Sequence, residues 1–117
     1  MLTAPVSEDA KKTLREVGLT EYETKSYLTL LERGTMTASE VSQHGGVPYS
    51  KIYETLNSLE RKGWIEVEQG RPSRYFPKAP SEALEAERLR LEDMVNGWKR
   101  TVLGELQPLY EQRELFE

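Results

Sequence analysis

Asn57 and Arg61 carry the two side-chain types that pair bidentately with adenine and guanine edges in the major groove of duplex DNA, and they stand one helical turn apart. At about 100° per residue, a helix that turns Ile52, Leu56 and Leu59 inward puts Ser50, Glu54, Asn57 and Arg61 on its outer face, with Lys51 and Ser58 flanking them. Tyr49, Ser50 and Lys51 occupy the first turn, the part of such a helix that reaches bases in helix-turn-helix proteins. Arg71 and Arg74 flank Pro72-Ser73, where a guanidinium can enter a minor groove or hold a phosphate. The plainer reading of the helix is a solvated face, on which Glu54 would repel phosphate. Arg74 is equally placed to pair with Glu66 or Glu68 across a ribbon. Arg71, at the turn itself, has fewer options within the chain.

The surrounding elements weigh against the plainer reading. Thr37 with Glu40 is a capping box that opens a short helix burying Ala38 and Val41, and Gly45-Gly46 ends it in a sharp turn. The next helix starts at Pro48, a residue favoured in a first helical turn, and closes at Gly63. Ile65 and Val67 then alternate with Glu66 and Glu68 as a half-buried strand. Gln69 to Ser73 is turn chemistry, and Arg74 to Pro77 is the returning strand, with Tyr75 and Phe76 on opposite faces. Pro77 implies an edge position for that strand. Helix, turn, helix and hairpin in this order make a winged helix-turn-helix, which delivers one helix to a DNA groove. Upstream, Ser7 caps a first helix that ends at Gly18. Thr20 with Glu23 caps a second, which carries Tyr27, Leu28 and Leu31 inward and stops near Gly34.

After Ala79-Pro80 the pattern changes. Ser81 caps a long charged helix running toward residue 107, in which Leu84, Leu91, Val95, Trp98 and Val102 form a seam of coiled-coil spacing, interrupted once by Arg88. Gly97, Gly104 and Pro108 weaken it, so the stripe needs a partner, and residues 109–117 are expected to kink away or fray.

Composition sets the outer bounds. The chain has 117 residues, a net charge of −4 and no cysteine, which excludes disulfides, thiolate metal sites and cysteine nucleophiles. Residues 1–80 hold 11 basic and 11 acidic residues, and residues 81–117 hold 5 against 9, so the acidic excess sits in the tail. A neutral body still grips phosphate locally, within a Debye length of about 10 Å. No apolar run reaches the roughly 20 residues of a membrane span, and the first residues lack a signal-peptide core. A cytoplasmic protein is expected. His44, the one histidine, suits a helix end, and no clustered ligands accompany it. No nucleophile or cofactor loop surrounds Glu66 and Glu68, so no enzyme, metal or cofactor is expected. Of the tyrosines at 22, 27, 49, 53 and 75, all but Tyr49 read as packing residues.

Two blocks, GLTEYETKSYLTLLERG (18–34) and TASEVSQHGGVPYSKIYETLNSLERKGWIEVEQGRPSRYF (37–76), resemble the DNA-binding domain of the TrmB-type transcriptional regulators, a family common in archaea. The similarity lies in Gly-Leu-Thr with a following Tyr-Glu pair, Val-Pro before the recognition helix and Ser-Lys-Ile-Tyr within it. It continues in Leu-Glu-Arg-Lys-Gly at that helix's end and in Gly-Arg-Pro before Arg-Tyr in the wing. Family members often have a basic residue just after Val-Pro, where this chain has Tyr49, so the resemblance implies no inherited base preference. Members also carry a C-terminal effector domain, whereas this chain ends after one helix. The resemblance therefore implies a minimal, dimeric DNA binder without a sugar site.

The expected fold class is α+β, mainly α: a winged helix-turn-helix with a two-stranded wing over 1–80, and a long C-terminal dimerisation helix over 81–117. The expected function is sequence-specific regulation of transcription by a homodimer on double-stranded DNA. Tyr49, Ser50, Lys51, Asn57 and Arg61 would serve the major groove, and Arg71 and Arg74 the minor groove or backbone. Leu84, Leu91, Val95, Trp98 and Val102 would pair the subunits, with no membrane and no small-molecule effector as partner. Two other readings use the same residues: a winged-helix protein-interaction module, favoured by Glu54 and the acidic tail, and an RNA binder.

Overall fold

The computed structural model of the chain describes residues 5–116. Its elements are α1 (Glu8–Val17), α2 (Glu21–Arg33), β1 (Met36–Thr37), α3 (Ala38–Gly45), α4 (Tyr49–Lys62), β2 (Ile65–Glu68), β3 (Arg74–Pro77) and α5 (Pro80–Phe116). They fall into two compact units that divide after Pro80.

In the first unit, side chains start the helices. The Ala10 amide donates to Ser7 Oγ, and the capping boxes of Thr20 with Glu23 and Thr37 with Glu40 are both closed. Three helices stop by one device, a glycine followed by a buried apolar residue: Gly18-Leu19, Gly46-Val47 and Gly63-Trp64. At Gly63 (φ 87°) the backbone enters the left-handed region, the Gly63 amide donates to the Glu60 carbonyl and the Trp64 amide to that of Leu59. The Trp64 ring then packs edge-on to Tyr27 at 5.1 Å, and the Tyr27 hydroxyl donates to the Lys78 carbonyl at 2.9 Å. Helical periodicity overlooks Leu19, Val47 and Trp64 because they lie just outside the helices. Their place directly after a terminating glycine is the signal that marks them.

The expected inner face of α2 needs correction. Leu31 is 42% exposed and Leu28 only half-buried, whereas Leu30 is fully buried beside Tyr27. Glu23, Thr24, Ser26 and Thr29 complete the buried face. These small and polar side chains let α3 approach closely. A Cβ on Gly45, at the end of α3, would stand 2.9 Å from Thr29 Oγ1.

The sheet also differs from the sequence reading. β2 and β3 form the expected ribbon, but β1 adds a third antiparallel strand and the order is β1-β3-β2. β3 is therefore central, not an edge strand. Pro77 is tolerated there because it pairs with Ile65 on one side only; β1 is two residues long and reaches only Tyr75 and Arg74.

α4 is held by its inner face, where Ile52, Leu56 and Leu59 have no solvent exposure and Thr55 is buried beside them. Pro48 stands one residue before the helix, as its N-terminal cap. Its last turn is tied down by charge. Lys62 Nζ donates to Glu23 Oε1 and to the Gly18 carbonyl, at 2.7 and 2.9 Å. Burial pushes the Glu23 carboxyl up, but Lys62, Ser58 and the Thr20 amide together hold it below the usual carboxylate value.

The second unit is α5, and two expectations about it fail. The helix begins at Pro80, where a missing N–H costs nothing, so Ser81 lies inside it and not at the cap. It also continues through Pro108 to Phe116 instead of ending near residue 107; Glu117 lies outside the described residues. Leu84, Leu91, Val95, Trp98 and Val102 share one stripe and are all exposed within this chain. Leu106 and Leu109 continue that stripe, Leu109 past the expected end, to a length of about 38 Å at 1.5 Å per residue. Arg88 within the stripe is bridged to Glu85 and Glu92 of the same helix, which neutralises the interruption.

Removing the Lys62 ammonium leaves a buried carboxylate unpaired, so Lys62→Ala should cost about 1.5–3 kcal/mol at pH 7. Because the folded Glu23 pKa lies below its ordinary value of 4.5, the contribution exists above that value and fades as pH falls through the lowered one. The gap between the melting curves of wild type and variant should therefore close in acid. In α5, Gly97→Ala should add about 1 kcal/mol and Pro108→Ala about 3 to helix stability, read as the loss of helical ellipticity on heating.

Candidate nucleic-acid interface

With its inner face buried, α4 leaves the opposite face bare. Tyr49, Ser50, Lys51, Asn57 and Arg61 are all exposed. Lys51 Nζ lies 4.0 Å from Glu54, a loose pair that partly offsets its charge. Arg71 is exposed in the β2–β3 loop, the tip of the wing. Arg74, in β3, stands opposite Thr37 on one side and Glu68 on the other, and is also exposed. Among the described residues, no carboxylate forms an ion pair with Arg61, Arg71 or Arg74. The expected alternative for Arg74, a bridge to Glu66 or Glu68, is thus not formed. Its charge is felt instead by Glu40, whose carboxyl is lowered first by the Thr37 amide and hydroxyl and to a lesser degree by Arg74 and His44.

Only part of the expected set is gathered in one place. A cavity of about 500 Å³ opens between the start of α3, the first two turns of α4 and the wing tip. Ser39, Tyr49, Tyr53, Arg71, Pro72 and Ser73 are among its walls. Tyr49 and Arg71 therefore face one space, while Ser50, Lys51, Asn57, Arg61 and Arg74 lie outside it.

Tyr53 is the residue that the sequence reading misplaced. Expected in the packing, it is 50% exposed and meets the 59% exposed Tyr49 edge to face, with ring centroids 5.9 Å apart and planes at 84°. The four-residue step from Tyr49 was the available signal, since it puts both rings on one side of the helix. Hydrogen bonding with the Tyr49 side chain, reinforced by that group's charge, raises the Tyr53 phenol above its ordinary pKa.

The family model for the sugar-specific transcriptional regulator TrmB matches residues 14–81, more than half of the chain. The chain belongs to the TrmB family. The match takes in α2 through β3 entire, including the cavity and both arginines of the wing. Relatives of this TrmB-family chain include the HTH-type sugar sensing transcriptional regulator TrmBL1 of Pyrococcus furiosus, 38% identical over 95 residues that make up 81% of this chain and 27% of that protein. The YrhO protein of Bacillus subtilis is 38% identical over 88 residues, 75% of this chain and 32% of its own length. The chain thus spans about a third or less of these relatives. Among solved structures, TrmBL2, an archaeal chromatin protein with a novel mode of DNA binding, superposes with a TM-score of 0.78 at 26% identity, over 95% of this chain and 43% of that one. The winged helix-turn-helix is therefore the fold of this chain, and relatives such as TrmBL1 are transcriptional regulators.

Replacing Tyr49 by Phe removes the hydroxyl that acts on Tyr53. The Tyr53 ionisation, followed by the ¹³C shift of its ring carbon bearing oxygen, should then fall back toward the ordinary phenol value of 10.0.

Proposed function

We propose that this chain binds double-stranded DNA in a sequence-dependent way as a homodimer and thereby regulates transcription. The observation that carries this reading is the bare outer face of α4, whose first-turn Tyr49 shares one open cleft with Arg71 at the wing. On this reading Tyr49, Ser50, Lys51, Asn57 and Arg61 serve the major groove, with Asn57 and Arg61 offering bidentate pairing to adenine and guanine. Arg71 and Arg74 hold the backbone or an adjacent minor groove. The DNA-binding unit is residues 1–80, and the α5 stripe of residues 81–117 pairs with the same stripe of a second copy. Leu84, Leu91, Val95, Trp98 and Val102 are the contacts. Burial of these exposed residues stabilises a dimer by about 25 cal/mol per Å² of apolar surface, which offsets the helix-weakening glycines. Among the described residues, no helix is long and apolar enough to cross a membrane.

A second reading, a protein-interaction module, draws support from the far side of the sheet. There Glu60, Glu66 and Glu68 outnumber Lys78 around the half-buried Phe76. Such a face suits a basic protein partner and repels DNA.

Salt separates the two. Binding to random duplex DNA should weaken steeply with ionic strength, and Arg71→Ala should lower the log-log slope by about 1. A wild-type slope in that variant contradicts the phosphate contact; no duplex binding at low salt favours the protein-interaction module. Val95→Glu with Trp98→Glu should sediment as a folded monomer that binds DNA far more weakly. A double variant that stays dimeric moves the interface off α5.

A further inference from the structure

The tyrosine pair of α4 lies outside the buried core. Burying an aromatic ring is worth far more than leaving it wet, yet Tyr49 and Tyr53 keep half or more of their surface in solvent. They stand at the start of the helix, the segment that meets bases when such a helix lies in a groove. Their planes, at 84°, form a right-angled corner that opens into the cavity at the wing.

The chemistry of that cavity narrows its occupant. Among the described residues, Arg71 is the one cation in its walls and no carboxylate lines it. One guanidinium matches one phosphodiester. The other side chains that line it offer only carbon and hydroxyl, which suits an apolar group on a base edge better than a second charge. In the major groove only one base carries such a group, the C5-methyl of thymine. A cytosine in its place would turn an N4 donor against ring carbon and leave it without a partner.

We infer that Tyr49 and Tyr53 together read a thymine methyl group, seated in the corner between their rings while Arg71 holds the nearby backbone phosphate. This inference rests on the DNA-binding reading above. It adds to that reading a base identity and a second residue, Tyr53, that determines specificity by apolar contact instead of hydrogen bonding. Asn57 and Arg61, lying outside the cavity, read other positions.

The test alters the DNA first and the protein second. A duplex selected by the wild-type chain from a random pool is remade with deoxyuridine at one thymine at a time, which deletes a single methyl and keeps the base pairing. At one thymine in each half-site, affinity should fall about four-fold, the value of burying one methyl-sized group. Tyr49→Ala and Tyr53→Ala should bind the thymine and uracil duplexes equally, while Tyr53→Phe, which keeps the ring, should still discriminate. Wild-type protein that binds the selected duplex and ignores uracil at every position overturns the methyl reader and leaves DNA binding intact. So does an alanine variant, folded by its melting curve, that keeps the four-fold preference. Failure to bind any duplex overturns both.

Discussion

A buried carboxylate governs how the first unit is assembled. Glu23 is almost wholly enclosed, and an ionised group in that position must be paired or it destabilises the fold. It is paired by three parts of the chain at once. It closes the N-terminus of α2 through the Thr20 amide, takes the Lys62 ammonium at the end of α4, and through Lys62 draws in the Gly18 carbonyl at the end of α1. A capping residue thus also fixes the far end of the helix proposed to read DNA. Its other anchor is the fully buried trio Ile52, Leu56 and Leu59.

Those two anchors explain why α4 can afford a bare face. A helix of 14 residues is marginal alone in water and takes its stability from packing on one side. The buried trio supplies that packing, the Lys62 contact stops the last turn from fraying, and Gly63 with Trp64 turns the chain back into the sheet. The outer side chains are then free of structural duty. That freedom is what lets Tyr49 and Tyr53 remain exposed beside Arg71, and it gives physical content to the membership of a family of transcriptional regulators.

How much of this was legible in the sequence depended on the range of the interaction. Caps and turns are local, so Ser7, both capping boxes and Gly63 could be read directly, as could the inward trio of α4 from its spacing. What depended on a neighbour could not. Leu31 was expected inside by apolarity, but α2 packs on α3 and α4 through Glu23, Ser26 and Thr29, and Leu30 takes the core position. Pro77 pointed to an edge because nothing in the two residues of β1 announces a strand. Pro108 pointed to a break, yet an exposed helix can lose one backbone bond and continue, as α5 does. In the candidate interface, the cations and Tyr49 were visible from the start and Tyr53 was misread as packing, whereas the placing of Arg71 across the cleft from both rings depended on the folded position of the wing.

The claim at the centre of this account is that α4 enters the major groove, once per subunit of a symmetric pair. Chemical interference on the selected duplex tests it most directly, by methylating guanine N7 in the major groove before binding. Methylation should block binding in two symmetric patches whose centres lie about 10–10.5 base pairs, or a multiple of that, apart. Interference that is uniform along the duplex, or confined to one patch, would contradict it.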